Sequence, residues 1–221
     1  MDINPNPINR ILLRGVLHDV SPIIARVISV PDDLDIRDLH NVFLAMLNWD
    51  YDPDFIIRIH TQEFASVRRS SRGKRLRDFQ LRRQEKFLYI CDTLDLWEWE
   101  LRVLDIEKAD SEETGPVCLK GCGAAPPAMC GGPTGYRLML KRQQAGPALT
   151  DPAGISASVK VLADAYQDKL GVDLQFLEET MNEGWKSVEE RLARSGPLTP
   201  TRFSLNETNE RLALWAQRRR W

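Results

Sequence analysis

Cys118, Cys122 and Cys130 bring three of the chain's four cysteines into the 13 residues "CLKGCGAAPPAMC". Thiolates bind Zn²⁺ well, and a closed structural zinc site takes four nitrogen or sulfur donors. A fourth donor would come from Cys91, His18, His40 or His60. The spacing is Cys-x3-Cys, not the compact Cys-x2-Cys pair of strong zinc motifs. Gly121, Gly123, Gly131 and Gly132 permit positive φ or close backbone approach, and Pro126-Pro127 stiffens an extended piece. Cysteine in such a stretch serves as a small buried hydrophobe. The segment therefore reads as a rigid connection laid over a sheet. No cofactor is expected, zinc on Cys118, Cys122 and Cys130 being the alternative. A nucleophilic cysteine needs a neighbouring base, usually His, and none of the three histidines stands in a recognisable pairing.

Two further groups carry charge chemistry. Asp92, Asp95, Glu98 and Glu100 could hold a hard cation or share a proton. "VRRSSRGKRLRDFQLRRQEK", residues 67–86, has nine Lys/Arg against two acids, among them Arg68, Arg69, Arg72, Lys74, Arg75, Arg77, Arg82 and Arg83. An unpaired basic face is the footprint of a nucleic-acid binder. The following stretch, 92–113, has nine acids against two basic residues. Two neighbours of opposite sign neutralise each other when they pair across strands. The two readings of the basic run stand side by side.

These groups must be positioned by ordinary secondary structure. The runs 11–20 and 23–30 are rich in β-branched residues and flank Ser21-Pro22, which predicts two strands and a tight connection. Ile36, Leu39, Phe43, Met46 and Leu47 fall on one helical face, with Asp35 as N-cap and Asn48 as a stop. Strands are predicted at 55–61, 87–93 and 97–107, and a solvated loop around 70–73. In the last strand Trp97, Trp99, Leu101 and Val103 alternate with Glu98, Glu100 and Arg102, so both tryptophans face a core. The alternation slips at Leu104, which predicts a bulge or the strand's end there. Helical spacing resumes at Ile155–Leu170 and again at Leu174–Leu192, an amphipathic helix that offers a protein-binding face. "SLNE", 204–207, has the form of a capping box and opens a final helix. The fold class is α+β: an antiparallel sheet packed with a helix, plus a C-terminal helical extension. The boundaries are 8–145 for the sheet domain and 146–221 for the helical part that packs on it.

Several stretches together resemble the plasmid Ri-A4b open-reading-frame-three-like family. "LHDVSPIIARVISVPDDLDIRDLHNVFLAMLNW" is similar to its opening, and "FLYICDTLDLWEWELRVLDIE" to its Tyr-Asp-Phe-Gly-Asp-x-Trp-x-His strand pair. "CLKGCGAAPPAMCGGPTGY" looks like its Cys-Leu-x-Gly…Pro-Pro-Glu-Asp-Cys-Gly-Gly…Gly-Tyr segment, and "TPTRFSLNETNERL" like its closing Phe-Asp-x-Asp-x-x-Asn, here within 200–212. The positions retained include Asp92, Asp95, Trp97, Gly131, Gly132 and Tyr136. Pro53 and Phe55 stand where the family has a His-x-His pair, Trp99 replaces the motif's His, and Ala128-Met129 replaces Glu-Asp. The resemblance implies this fold and a plasmid or insertion-element passenger setting, and implies no reaction. With the family's histidines replaced, the expectation is a non-catalytic accessory module that binds nucleic acid or protein, the alternative being a zinc protein or an enzyme of the family with a degenerate site. No apolar run reaches the ~20 residues that span a bilayer, and the N-terminus has no apolar signal core, so a cytoplasmic location is expected.

Overall fold

The computed structural model describes residues 9–66, 73–92, 95–109, 115–128, 130–145 and 198–218. Seven strands form one sheet: β1 (Asn9–Leu17), β2 (Ala25–Pro31), β3 (Phe55–Ile59), β4 (Gln62–Ala65), β5 (Lys86–Cys91), β6 (Trp97–Lys108) and β7 (Val117–Cys122). Their order is β4-β3-β5-β6-β1-β2-β7, with every neighbouring pair antiparallel. Helix α1 (Ile36–Leu47) follows β2, α2 (Gly132–Ala145) follows β7, and α3 (Leu205–Arg218) closes the described chain. The predicted α+β architecture, an antiparallel sheet with a packed helix and a C-terminal helix, is what is observed.

The core lies between α1 and one sheet face. On β6, Trp97, Trp99, Leu101 and Val103 are fully buried, as their alternation required. On β1, Ile11, Leu13 and Leu17 face the same side. Gly15 completes that row because a Cβ there would meet Leu101, Trp99 and Phe43 at 3.0–3.5 Å. Phe43 of α1 packs on Tyr89 and Trp99 with ring centroids 4.7 and 5.2 Å apart. Burying each such side chain contributes about 1.5–3 kcal/mol. The bulge falls where the slip in alternation put it: Leu12 opposes Asp105 and Leu13 opposes Val103, so Leu104 is the extra residue.

α1 begins at Asp35, whose carboxylate accepts from the Asp38 amide at 2.7 Å, and ends at Asn48 in the left-handed conformation. Its last turn has no basic residue of its own. Arg211 of α3 supplies one, donating to the Ala45 carbonyl at 2.9 Å and the Met46 carbonyl at 3.4 Å. A guanidinium there adds a second donor to the Ala45 carbonyl, which also accepts from the Asn48 amide at 3.3 Å, and offsets the negative helix end.

Three elements differ from the sequence reading. The segment taken as a connecting loop is in part sheet: residues 117–122 form β7 along β2. Its last part is helix, α2 starting at Gly132. The 55–61 strand is instead a hairpin, β3 turning through His60-Thr61 into β4. The predicted helices at 155–170 and 174–192 lie outside the described residues.

By contacts the chain groups into two units, Met1–Arg137 with Thr199–Trp221, and Leu138–Leu198. In the second, the Gln143 amide bonds the Leu198 backbone in both directions, at 2.6 and 2.8 Å. Among the described residues no helix is long and apolar enough to cross a membrane.

Candidate functional site

Two places at opposite ends of the sheet gather the predicted site residues. The first is a groove of about 790 Å³ lined by the β3–β4 hairpin and the segment running into β5. A 3₁₀ turn at Leu76–Phe79 builds one wall. It is pinned to the corner after β2: the amides of Leu76 and Arg77 donate to Leu34 and Asp32, and Ile36 donates to Lys74, at 2.8–2.9 Å. Leu76 is fully buried beneath it. The Val103 backbone fixes the other end, accepting from the Gln84 amide at 2.7 Å and donating to the Glu85 carbonyl at 2.9 Å.

The groove presents Lys74, Arg82 and Arg83 with the amides of Gln62, Gln80 and Gln84, over Phe64 and Phe79. Phe79 meets buried Phe64 edge-on at 5.1 Å, so its ring is held in place. Two carboxylates also line it, and both are engaged by backbone: Asp78 accepts from Arg75 N–H at 2.9 Å, Glu85 from Arg82 N–H at 2.7 Å. Glu85 further pairs with His60.

The structure divides the basic run between the two readings. Lys86 pairs with Glu100 at 2.8 Å and holds that carboxyl below its usual range. Arg83 donates to the Leu104 carbonyl and lies 3.8 Å from Asp105. Lys86 is a cross-strand neutralisation of the kind foreseen, and Arg83 makes one long, exposed contact of that kind. Among the described residues, however, no carboxylate lies within ion-pair distance of Lys74, Arg77 or Arg82. Arg75 stands exposed on the same wall. Arg68, Arg69 and Arg72 lie outside the described residues.

At the other end the retained family positions come together. Asp92, in the left-handed conformation at φ 61°, accepts from Tyr51 O–H at 2.9 Å and from the Asp95 amide at 3.2 Å. Trp97 packs between Trp49 and Tyr136, with centroids 5.9 and 6.5 Å away. Trp49 donates its indole N–H to the Pro126 carbonyl at 2.9 Å. Gly131 and Gly132 have φ of 85° and 67°, and a Cβ on Gly132 would overlap the Asp95 carbonyl oxygen. One on Gly135 would overlap that of Cys130. Gly132 is thus required by contact as well as by torsion, Gly131 by torsion and Gly135 by contact.

The cysteines occupy separate settings. Cys118 is buried on β7, Cys122 is exposed at the strand's end with Sγ 3.6 Å from the Ile23 carbonyl, and Cys130 sits in the turn before α2. Among the described residues no three of His, Cys, Asp and Glu gather as metal ligands would. Burial pushes the Cys91 and Cys130 thiols up to about 12, the Asp95 carboxylate adding to the effect at Cys130. A thiol so shifted is not a ready nucleophile. His40 is fully buried, with Nδ1 2.8 Å from Tyr89 Oη and Nε2 3.2 Å from Asp52 Oδ1. Desolvation lowers its pKa to about 4 against the pull of the Asp52 hydrogen bond.

The closing segment has an architectural task. Asn209 accepts from Cys118 N–H at 2.8 Å and donates to Cys118 C=O at 2.9 Å, standing in for a missing strand along the outer edge of β7. Gly121 leaves the space that the Phe203 ring fills, and the Arg26 guanidinium stacks on that ring at 4.3 Å. Sequence reasoning missed His60, Gln62, Phe64, Phe79, Gln80 and Gln84 as groove residues. The usable signal was the polar pair His60-Thr61 directly after the apolar run 55–59, a hairpin turn without the usual Asn-Gly.

The fold is thus α+β, built on one antiparallel sheet with helix α1 packed on its core face. The chain belongs to the plasmid pRiA4b ORF-3-like protein family, whose profile matches residues 10–154. The fold is similar to that of a solved protein of unknown function, MM3350 from Methanosarcina mazei Go1. That structure has a TM-score of 0.61 at 18% identity, over 90% of this chain and 97% of the other. No curated protein matches the chain.

Proposed function

We propose that this protein is a non-catalytic nucleic-acid-binding accessory module of plasmid or mobile-element origin, acting through the groove lined by residues of 59–64 and 74–85. The observation that carries the reading is the groove's lining: Lys74, Arg82 and Arg83 over an aromatic pair, with both local carboxylates bonded to backbone amides. Cations of this kind bind phosphates by releasing counterions. The plasmid origin in the family's name supports the setting. The raised thiols and the neutral, buried His40 support a non-catalytic role.

Fluorescence anisotropy with labelled mixed-sequence DNA and RNA tests it. Neutralising about three phosphates of a single strand gives a salt slope near −2, so affinity should fall roughly twentyfold between about 50 and 200 mM salt. Absence of any shift at low salt refutes the reading. Purified protein carrying about one zinc per chain would replace it with a metal site on Cys118, Cys122 and Cys130.

A further inference from the structure

We infer that the groove takes unpaired bases of a single strand, with Gln62, Gln80 and Gln84 contacting base edges and Phe79 offering a stacking surface. This rests on the nucleic-acid reading above and names the form of nucleic acid it selects.

The first support is shape. The groove's volume of about 790 Å³ lies in the range of roughly 300–1,000 Å³ that holds small ligands. A duplex presents phosphates on a convex cylinder and turns its base edges into grooves. A pocket of this size admits a splayed-out base instead. Single-strand binders join cations that follow the backbone to aromatic rings that bases stack on, and both are present. Gln side chains both donate and accept, as base edges do.

The second support is backbone conformation. His60, Thr61, Gln80 and Gln84 have φ of 49°, 65°, 49° and 67°. Three of these four, His60, Gln80 and Gln84, line the groove. Left-handed positions favour Gly or Asn. Gln80 ends the 3₁₀ turn, where Gly is the usual choice. Gln84 Oε1 accepts from Arg102 at 3.3 Å, an exposed bond that leaves the amide NH₂ to meet a base edge, and keeping long polar side chains at such positions is understandable if the side chains are used. Non-glycine residues in this region cluster at ligand-binding sites.

That conformation also provides a discriminating test. The double variant Gln80→Gly with Gln84→Gly relaxes the backbone while removing both amides. If these glutamines are only structural, the variant should bind as the parent does. Anisotropy would compare a labelled single strand, the same sequence as a duplex, and a base-free deoxyribose-phosphate oligomer of equal length. DNA and RNA single strands run in parallel identify which backbone is preferred. The expected result is tightest binding to a single strand, with duplex and base-free oligomer at least about tenfold weaker. The Gly/Gly variant should keep or raise its melting temperature and lose about tenfold in single-strand affinity. Duplex or base-free oligomer bound as tightly as the single strand, or a Gly/Gly variant unchanged in affinity, overturns the inference and leaves the phosphate-binding reading intact. No binding to any of the three overturns both.

Discussion

The two ends of the sheet are built on opposite rules. At the end holding Asp92, Asp95, Trp97, Gly131, Gly132 and Tyr136, most side chains are buried, rings interlock and Gly132 sits where a Cβ would collide with a carbonyl. At the other end the groove residues are long, polar and mostly exposed, on a frame fixed by backbone bonds. The positions retained from the family concentrate at the first end and serve packing. Those that can meet a ligand concentrate at the second and carry no motif. Family membership here transmits a scaffold, and the surface that scaffold presents is a separate matter.

The sharpest way to break the comparison is at the packed end. Gly132→Ala drives a Cβ into the Asp95 carbonyl at φ 67°. The expected cost is about 3 kcal/mol or more, read by urea denaturation. A variant as stable as the parent would show this end to be looser than described. The next largest effect is pH-dependent. The folded pKa of His40, about 4, lies below its ordinary 6.5. The unfolded chain therefore takes up the proton first as pH falls. The associated stability is fully present above about pH 6.5 and is lost progressively toward pH 4, up to about 3 kcal/mol. His40→Gln, which keeps hydrogen-bonding atoms near Tyr89 and Asp52, should flatten the stability profile between those limits. An unchanged slope would place the titration elsewhere.

Legibility followed the same division. α1 was readable with both its caps because Asp35 and Asn48 act on their own local backbone. The β6 bulge was readable because one residue's slip moves every later side chain to the other face. β7 was hidden: its six residues alternate poorly, and its outer edge is completed by Asn209, 91 positions away. α2 was hidden because it opens on Gly-Pro with few apolar residues on any one face. The groove needed tertiary information throughout. His60 reaches Glu85 only because β3 and β5 are paired, and the 3₁₀ turn takes its place from Asp32 and Leu34. The charge run announced part of this surface, and the partners that neutralise Arg83 and Lys86 became identifiable only through the β5–β6 register.

Asn209→Ala sharpens the comparison with a smaller effect. It removes two hydrogen bonds from the Cys118 peptide and leaves the β7 edge unpaired. About 1–3 kcal/mol should be lost, together with a greater tendency to aggregate through the uncovered edge. Thermal melts with light scattering follow both. A lower melting temperature without aggregation would mean that α3 shields the edge even without the amide.

The smallest effect on stability should come from the groove, and that is its diagnostic value. Lys74 and Arg82 have no ion-pair partner among the described residues, and Arg83 has one long contact beyond its backbone bond. Surface pairs of that kind contribute little. The triple variant Lys74→Ala, Arg82→Ala, Arg83→Ala should therefore stay within about 0.5 kcal/mol of the parent. Its nucleic-acid affinity should nevertheless fall, and its salt slope should flatten toward zero as those phosphate contacts disappear. A surface kept for folding would show the reverse, a destabilised protein with its salt dependence unchanged. Because the triple variant should lose affinity with its stability kept and Gly132→Ala should lose stability first, measuring both on the two variants separates scaffold from surface.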